Sequence, residues 1–370
     1  MAKYRAGVIG LGWMGLLYDM AGRLPYRLGI DTADSIDRPT PELNVHRQFY
    51  LHERHLPKGT PSSYSEALYD RPEIDLVAGC DRDPPRLQAF GDRYGDVALY
   101  TDGAEMLEKE KLDIVAIATN TKSRPELVRL AVENGAKAVV TDKPMCHTLA
   151  EADLMVGVCR DAGVPLNCGA ISTTHPSFAK ARELLESGVI GDVVSMETSG
   201  RPGAQHQNWS YFLDSAPAWV VGTADKPPLE TGSSEFKGQG LLVCEDGTIV
   251  HFREGAPMLR ISGTAGEMVH GHANLREWTL SQDIDTVGGV KRVEMPWPGP
   301  QTDSYGTTYS VADVMDCLDG KLDEPKNSGR RVAVALEVEI ALKVSSANGG
   351  QRVDLPLEDR SLGLEYEWWR

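Results

Sequence analysis

The chain lacks the long apolar run that a membrane span needs. Of its 370 residues 41% are hydrophobic and 25% are charged, yet no apolar stretch approaches the roughly 20 residues that cross a bilayer. A core strand is predicted from Tyr4, which leaves no room for a secretory signal peptide ahead of it. We therefore expect a cytoplasmic globular protein that can bury a large core.

Positive charge and cysteine pairs are also in short supply. The 38 Lys and Arg against 54 Asp and Glu give a net charge of -16, which would repel nucleic acid and anionic membranes, so a small-molecule partner is expected. The six cysteines have no C-x-x-C spacing and are predicted to be reduced, mostly buried thiols. His270 and His272 could share one face of a strand, but no third ligand is evident, so no metal is expected.

A glycine motif stands at the start of the chain. Residues 4–15 read Tyr-Arg-Ala-Gly-Val-Ile-Gly-Leu-Gly-Trp-Met-Gly, which is a G-x-G-x-x-G loop directly behind a short apolar run. Gly10 would permit the tight turn, Gly12 would let a pyrophosphate approach, and Gly15 would let the next helix pack on the sheet. An ordinary glycine-rich turn is the alternative, because the chain holds 37 glycines. The predicted cofactor contacts here are Gly10, Gly12, Trp13, Met14 and Gly15.

Strand and helix patterns then alternate as far as residue 170. Strands are predicted over 74–80, 97–100, 113–118, 138–141 and 164–168, with helices between them. This alternation indicates a parallel, doubly wound sheet with right-handed crossovers. We predict a Rossmann dinucleotide-binding domain over residues 1–170, interrupted at about 19–61 by an insertion rich in Pro, Arg, Asp and His.

The pattern changes from residue 171. One helix is predicted over 178–187, and two more over about 311–318 and 331–347. Between them, alternating runs with turn signals predict strands at 193–198, 239–244, 248–252, 258–262, 268–271 and 278–281. We predict a second, α+β domain over residues 171–370 with a large, mostly antiparallel open sheet.

Two charged residues follow the second predicted strand. Asp81 stands where a carboxylate can hydrogen-bond both adenosine ribose hydroxyls and repel a 2'-phosphate. The usual spacing from the glycine loop is about 20 residues, and the insertion accounts for the excess here. Arg82 could stack on adenine or bind a phosphate. NAD is therefore the expected cofactor, and NADP is not excluded.

A lysine ends another predicted strand. Residues 139–144 read Val-Val-Thr-Asp-Lys-Pro, which puts Lys143 at the carboxyl end of a parallel strand, where doubly wound sheets bind ligands. A solvated surface lysine beside a turn is the alternative. With the glycine loop and Asp81 in register, the chain resembles the Gfo/Idh/MocA oxidoreductases, whose signature at this strand is Glu-Lys-Pro. The resemblance covers nearly the whole chain except the insertion.

The resemblance implies roles for several residues. Lys143 would hydrogen-bond the nicotinamide ribose and the substrate hydroxyl, acting electrostatically or as an acid/base. The family base is usually a His in an Asp-x-x-x-His pattern, which makes His206 the candidate, with a structurally bonded His as the alternative. Pro202 and Trp209 stand where carboxylates are common in the family. The other expected cofactor contacts are Thr119, Asn120 and Asp142, and the expected substrate contacts are His175, Arg201 and Asn208.

Two stretches depart from the family pattern. Where the family reads Ala-Thr-Pro-Asn-x-x-His, residues 118–124 read Ala-Thr-Asn-Thr-Lys-Ser-Arg, so Arg124 replaces a His expected near the ribose. His175 stands in a segment where the family commonly has an Arg, which suggests a different substrate. It either lines the pocket or caps the helix that begins at Pro176.

These residues together predict an NAD-dependent oxidoreductase. It would transfer hydride between nicotinamide and a secondary alcohol of a sugar, sugar derivative or cyclitol. Two alternatives stay open: a glycosidase that transiently oxidises its sugar on tightly held NAD, and a non-catalytic cofactor-binding regulator. The resemblance also implies a homodimer or homotetramer built through the open sheet of the second domain.

Overall fold

A computed structural model shows the chain as two compact units. It describes residues 4–19, 61–169, 171–199, 207–224, 236–271, 277–301 and 306–365. The first unit comprises Met1–Asp142, Leu154–Ile171 and Ser304–Ser328, and the second comprises Lys143–Asp153, Ser172–Asp303 and Gly329–Arg370. None of the helices in the described ranges has the length and apolarity needed to cross a bilayer.

The first unit is built around a six-stranded sheet. Its strands are β1 (Tyr4–Ile9), β2 (Ile74–Cys80), β3 (Ala98–Tyr100), β4 (Ile114–Ile117), β5 (Ala138–Thr141) and β6 (Leu166–Asn167). They pair in parallel in the order β3-β2-β1-β4-β5-β6. This is the order of dinucleotide-binding doubly wound folds. The strands β4 and β5 are buried along their whole length, as strands covered on both faces must be. The predicted Rossmann sheet is confirmed.

Helices connect these strands, and their first turns explain where they begin. They are α1 (Tyr64–Tyr69), α2 (Pro84–Tyr94), α3 (Gly103–Glu110), α4 (Arg124–Glu133) and α5 (Leu149–Ala162). Pro84 suits the first position of α2 because its missing N–H would have no helical acceptor. The Asp102 carboxylate accepts the Glu105 amide at 2.9 Å and caps α3. A five-residue π-helical turn, Trp13–Leu17, follows the glycine loop.

The two ends of the predicted insertion meet at one carboxylate. Asp19 is buried, and its side chain accepts hydrogen bonds from the Ser62 amide (2.9 Å), the Ser63 amide (2.6 Å) and the Ser63 hydroxyl (2.7 Å). Ser63 in turn caps α1. The two flanks of the insertion are therefore held next to each other. The rest of the insertion, residues 20–60, lies outside the described residues.

The second unit is built around a nine-stranded sheet. After α6 (Pro176–Glu186) come β7 (Val193–Thr198), β8 (Pro217–Ala224), β9 (Gly238–Cys244), β10 (Ile249–Phe252), β11 (Leu259–Gly263), β12 (Gly266–His270), β13 (Trp278–Thr286) and β14 (Gly289–Met295), and later β15 (Val353–Asp354). The order is β14-β13-β12-β11-β7-β10-β9-β8-β15, and β7 with β10 is the parallel pair among antiparallel neighbours. The predicted mostly antiparallel sheet is confirmed.

Two further helices lie in the C-terminal part of the described chain. They are α7 (Thr307–Leu318) and α8 (Gly329–Ala347). Although α7 follows the second sheet along the sequence, it belongs to the first unit, where Val311, Val314 and Met315 join the buried core around β1. The core of the first unit is thus completed by a helix more than a hundred residues beyond its last strand.

The cysteines agree with the prediction of reduced, mostly buried thiols. None of the six forms a disulfide; Cys317 is half-buried and the other five are buried. Burial raises the pKa of Cys80, Cys159 and Cys244 to about 12. These thiols therefore stay protonated at neutral pH and behave as small apolar groups.

Candidate functional site

The glycine loop has the backbone that its sequence predicts. Gly10 follows β1 with a φ of +92°, and a Cβ there would lie 2.7 Å from the backbone carbonyl of Ala118. A Cβ on Gly15 would lie 1.8 Å from the carbonyl oxygen of Gly10. Both positions therefore exclude any side chain, the first by conformation and contact and the second by close packing of the turn.

Gly12 is different, because none of the described residues crowds it. The nearest atom to a Cβ at this position is Arg86 Nη1, at 3.6 Å. The absence of a side chain thus leaves open space over the backbone just ahead of the helical turn, whose first amides, those of Trp13 and Met14, are typical phosphate donors. This space fits a pyrophosphate that lies against the backbone.

Asp81 is fixed to the glycine loop. One carboxylate oxygen accepts the Leu11 amide at 2.7 Å, and the other accepts the Asp83 amide at 2.9 Å. Arg86 Nη1 lies 3.9 Å from the same carboxylate. Each carboxylate oxygen can accept more than one hydrogen bond, so Asp81 keeps acceptor capacity for a pair of hydroxyls.

These groups line a cavity of about 740 Å³ at the carboxyl ends of the parallel strands. Ligands of open α/β sheets bind at this edge. Six of the predicted cofactor residues line it, namely Gly10, Gly12, Asp81, Arg82, Thr119 and Asn120. The sequence-based prediction missed other polar lining residues, namely Arg86, Thr101, Asp102, Lys122, Ser123 and Glu126. Arg86 lies in the first turn of α2.

The predicted Asp-Lys-Pro segment directly follows β5. Asp142 is buried, and its backbone oxygen accepts a hydrogen bond from Arg124 Nη1 at 2.7 Å. Lys143 is half-buried. Both residues therefore stand at the carboxyl end of β5, as predicted, and their proposed roles stay predictions.

Two predicted substrate residues are buried in the second unit. His175 caps α6, because its Nδ1 accepts the Ser177 amide at 3.1 Å, which is the capping alternative named above. Asn208 is fully buried, and its side-chain oxygen accepts the hydroxyls of Ser172 (2.8 Å) and Thr173 (2.7 Å). Their contacts with a substrate stay predictions.

Other predicted residues lie outside the described part of the chain. These are Arg201, His206, the proposed base, and His272. Among the described residues, no group of three His, Cys, Asp or Glu side chains is arranged to hold a metal ion.

Comparison with known proteins matches part of the chain to one oxidoreductase family. The Gfo/Idh/MocA family, described as an oxidoreductase family with an NAD-binding Rossmann fold, matches residues 59–170. The match begins where the insertion ends, so the glycine loop lies ahead of it. D-apiose dehydrogenase of Paraburkholderia graminis is 42% identical over 129 residues, which are 35% of this chain and 34% of that protein. Myo-inositol 2-dehydrogenase of Thermotoga maritima is 31% identical over 116 residues, which are 31% of this chain and 34% of that protein. The matched segment thus spans only about a third of these curated relatives.

A solved structure extends the likeness to the whole fold. An oxidoreductase from Agrobacterium radiobacter, solved with NAD+, L-tartaric acid and magnesium, superposes with a TM-score of 0.62 over 95% of this chain and 98% of that chain. At 19% identity the likeness shows a shared fold. Taken together, the comparisons show that residues 59–170 match the NAD-binding Rossmann domain of the Gfo/Idh/MocA oxidoreductase family, and that the chain shares its fold with a solved NAD-bound oxidoreductase.

Proposed function

We propose that the protein is an NAD-dependent dehydrogenase acting on a secondary alcohol of a sugar, sugar derivative or cyclitol. The observation that carries this proposal is the cavity at the strand ends, where the glycine loop and the Asp81 carboxylate lie side by side. A dinucleotide needs both features, because its pyrophosphate binds bare backbone and its ribose binds a carboxylate.

The chain's own residues would hold the cofactor in a defined way. The open backbone at Gly12 receives the pyrophosphate, and Asp81 accepts the adenosine ribose hydroxyls. Arg86, which lies between these two groups, offers a cation to the phosphates. When bound, NAD supplies the carbon that accepts or returns a hydride. The Asp81 charge favours NAD over NADP because it would repel a 2'-phosphate.

The remaining chemistry falls to residues that act on the substrate hydroxyl. Lys143, directly after β5, would hydrogen-bond that hydroxyl and stabilise the charge that develops on its oxygen. His206 would accept the hydroxyl proton, since its unperturbed pKa suits proton transfer near neutral pH. A polyol substrate fits the polar candidates His175, Arg201 and Asn208, and the two relatives named above are dehydrogenases of a sugar and of a cyclitol.

The experiment is an assay of NADH formation against a panel of sugars and cyclitols, with Lys143→Met beside the wild type. We expect net NADH with at least one compound. In Lys143→Met, kcat should fall strongly while NAD binding stays within about tenfold, because a lost transition-state contact appears mainly in kcat. Wild-type turnover in that variant would remove Lys143 from the chemical step.

The same panel separates the alternatives. A glycosidase that recycles its cofactor would cleave a glycoside without net NADH, and a regulator would bind NAD without turning over any compound. Light scattering of the purified protein tests the proposed homodimer or homotetramer.

A further inference from the structure

The structure assigns to Arg124 a positioning role: its buried guanidinium joins the cofactor-lining loop after β4 to the peptide that carries Lys143 after β5. This inference rests on the proposed function. Arg124 was expected near the ribose. Instead it is 1% exposed and does not line the cavity.

The guanidinium spans the ends of two neighbouring strands. Strands β4 and β5 pair in parallel up to Ile117 and Thr141. Beyond that pair, Arg124 Nε and Nη2 both donate to the Thr119 carbonyl, at 3.1 and 2.7 Å, and Nη1 donates to the Asp142 carbonyl at 2.7 Å. A planar fork of donors can hold two carbonyls at once in a fixed geometry.

Both carbonyls belong to residues next to the site. Thr119 lines the cavity together with Asn120, whose side chain accepts the Ser123 amide at 3.3 Å and shapes the turn before α4. Asp142 is joined directly to Lys143. A shift of the guanidinium would therefore displace both the segment with Thr119 that lines the cavity and the peptide between Asp142 and Lys143.

Stability alone does not explain an arginine here. Arg124 is the first residue of α4, where the helix dipole disfavours a cation. Burying the charge adds a desolvation cost that a neutral donor would avoid. The arrangement is therefore better explained by the precision that the fork gives to two backbone carbonyls at an active site.

The test compares Arg124→Met and Arg124→Lys with the wild type. The control is Arg160→Met, because Arg160 is 72% exposed and pairs with its neighbour Asp161. We expect kcat of Arg124→Met to fall about 100-fold, since a misplacement of about 1 Å can cost that much. A lysine reaches one carbonyl at a time, so Arg124→Lys should recover part of the loss. NAD affinity, measured by calorimetry, should change less than kcat.

A second measurement works without cofactor. Hydrogen exchange of the amides in residues 119–123 and 142–147 should accelerate in Arg124→Met, while exchange in β1 and β2 stays unchanged.

The positioning role is overturned if kcat stays within twofold of the wild type, or if exchange at these two segments does not change. It is also overturned if kcat, NAD affinity and melting temperature fall together in both variants, because that result indicates a general loss of folding. Absence of turnover in the wild type contradicts the proposed function, and hydrogen exchange then still tests the link between the two loops.

Discussion

Gly12 and Gly15 stand three residues apart in one loop but meet different surroundings. A methyl group on Gly15 would collide with the Gly10 carbonyl at 1.8 Å, whereas the described atom nearest to a methyl group on Gly12 lies 3.6 Å away. The backbone at Gly12, with φ -72° and ψ -156°, is extended and suits an alanine. The same substitution therefore tests packing at one position and ligand space at the other.

We predict opposite outcomes for Gly12→Ala and Gly15→Ala. Gly12→Ala should leave the free energy of unfolding of the ligand-free protein within about 0.5 kcal/mol, as at an uncrowded surface, but weaken NAD binding. Gly15→Ala should lower that free energy by about 1–3 kcal/mol through overpacking. Urea unfolding without NAD and calorimetric titration with NAD measure the two effects. A Gly12→Ala protein that binds NAD like the wild type would show that the pyrophosphate does not lie there.

Asp81 carries the predicted preference for NAD. Asp81→Asn removes the negative charge but keeps an oxygen that can accept the Leu11 amide, so the glycine loop stays anchored. Arg86 Nη1, which lies 3.9 Å from this carboxylate, would then attract a 2'-phosphate without an opposing charge from Asp81. We expect the ratio of kcat/KM for NAD to that for NADP to fall by about tenfold or more, which corresponds to about 1.4 kcal/mol.

The charge-matched control for this prediction is Asp92→Asn. Asp92 lies on the same helix as Arg86 and bonds Gln88, away from the cavity lining. Its substitution should leave the cofactor ratio unchanged. An equal ratio in wild type and Asp81→Asn would place the choice of cofactor elsewhere.

At the scale of elements, the hydrophobic patterns predicted the parallel unit closely. Strands β2 and β5 begin and end at the predicted residues, 74–80 and 138–141, because mostly apolar runs mark them in the sequence. In the second unit β8 and β14 were not predicted. The first starts at a proline and contains a glycine, and the second, with sequence Gly-Val-Lys-Arg-Val-Glu-Met, is largely exposed and lacks a buried face.

The candidate site also contains features that the sequence predicted and features that it did not. Its glycine loop and Asp81 are local features of sequence and were predicted. The contacts of Arg86 and Arg124 were not predicted. Arg86 lies near the Asp81 carboxylate, and Arg124 bonds a carbonyl at the end of the neighbouring strand. Both contacts depend on tertiary geometry. A family pattern placed Arg124 at a cofactor, whereas its donors bind the backbone.

The insertion is an element whose removal the fold should tolerate. Since Asp19 holds Ser62 and Ser63 directly, a linker of about five residues, spanning up to about 17 Å, can replace residues 20–60. We expect the shortened protein to unfold cooperatively with the far-UV circular dichroism of the wild type. Changed KM or molecular mass would reveal a functional role for the segment.

In contrast to removal of residues 20–60, the substitution Asp19→Ala should destabilise the fold. It leaves buried amides without an acceptor, so the free energy of unfolding should fall by about 1–3 kcal/mol. Asp161→Ala, at a side chain 71% exposed, should change it by less than about 0.5 kcal/mol. If the protein with the linker in place of residues 20–60 fails to fold, the result would show that residues 20–60 contribute to the core.

At the scale of the whole molecule, the chain passes repeatedly between its two units. The first unit takes residues Ser304–Ser328 from far along the sequence, and the second takes Lys143–Asp153, which follows β5 and includes the start of α5. Lys143–Asp153 is held there by residues of the C-terminal segment: the Leu149 amide donates to the Leu362 carbonyl at 3.0 Å, and Arg360 pairs with Asp153 at 2.7 Å. Neither unit is therefore one continuous piece of sequence.

This organisation predicts how fragments behave. A fragment of residues 1–170 contains all six strands of the parallel sheet but lacks α7, whose Val311, Val314 and Met315 complete the core. Without them the fragment exposes apolar surface, at a cost of roughly 1.5–3 kcal/mol for each large side chain left uncovered, which is a large part of a typical domain's stability.

We expect residues 1–170 alone to unfold without cooperativity in urea, and a fusion that adds residues 304–328 through a flexible linker to regain a cooperative transition. The matched control is the same fusion with Val314→Asp, which puts a charge into that core and should abolish the gain. Cooperative unfolding of residues 1–170 alone would show that the parallel sheet and its own helices suffice, and that α7 packs on a domain already complete.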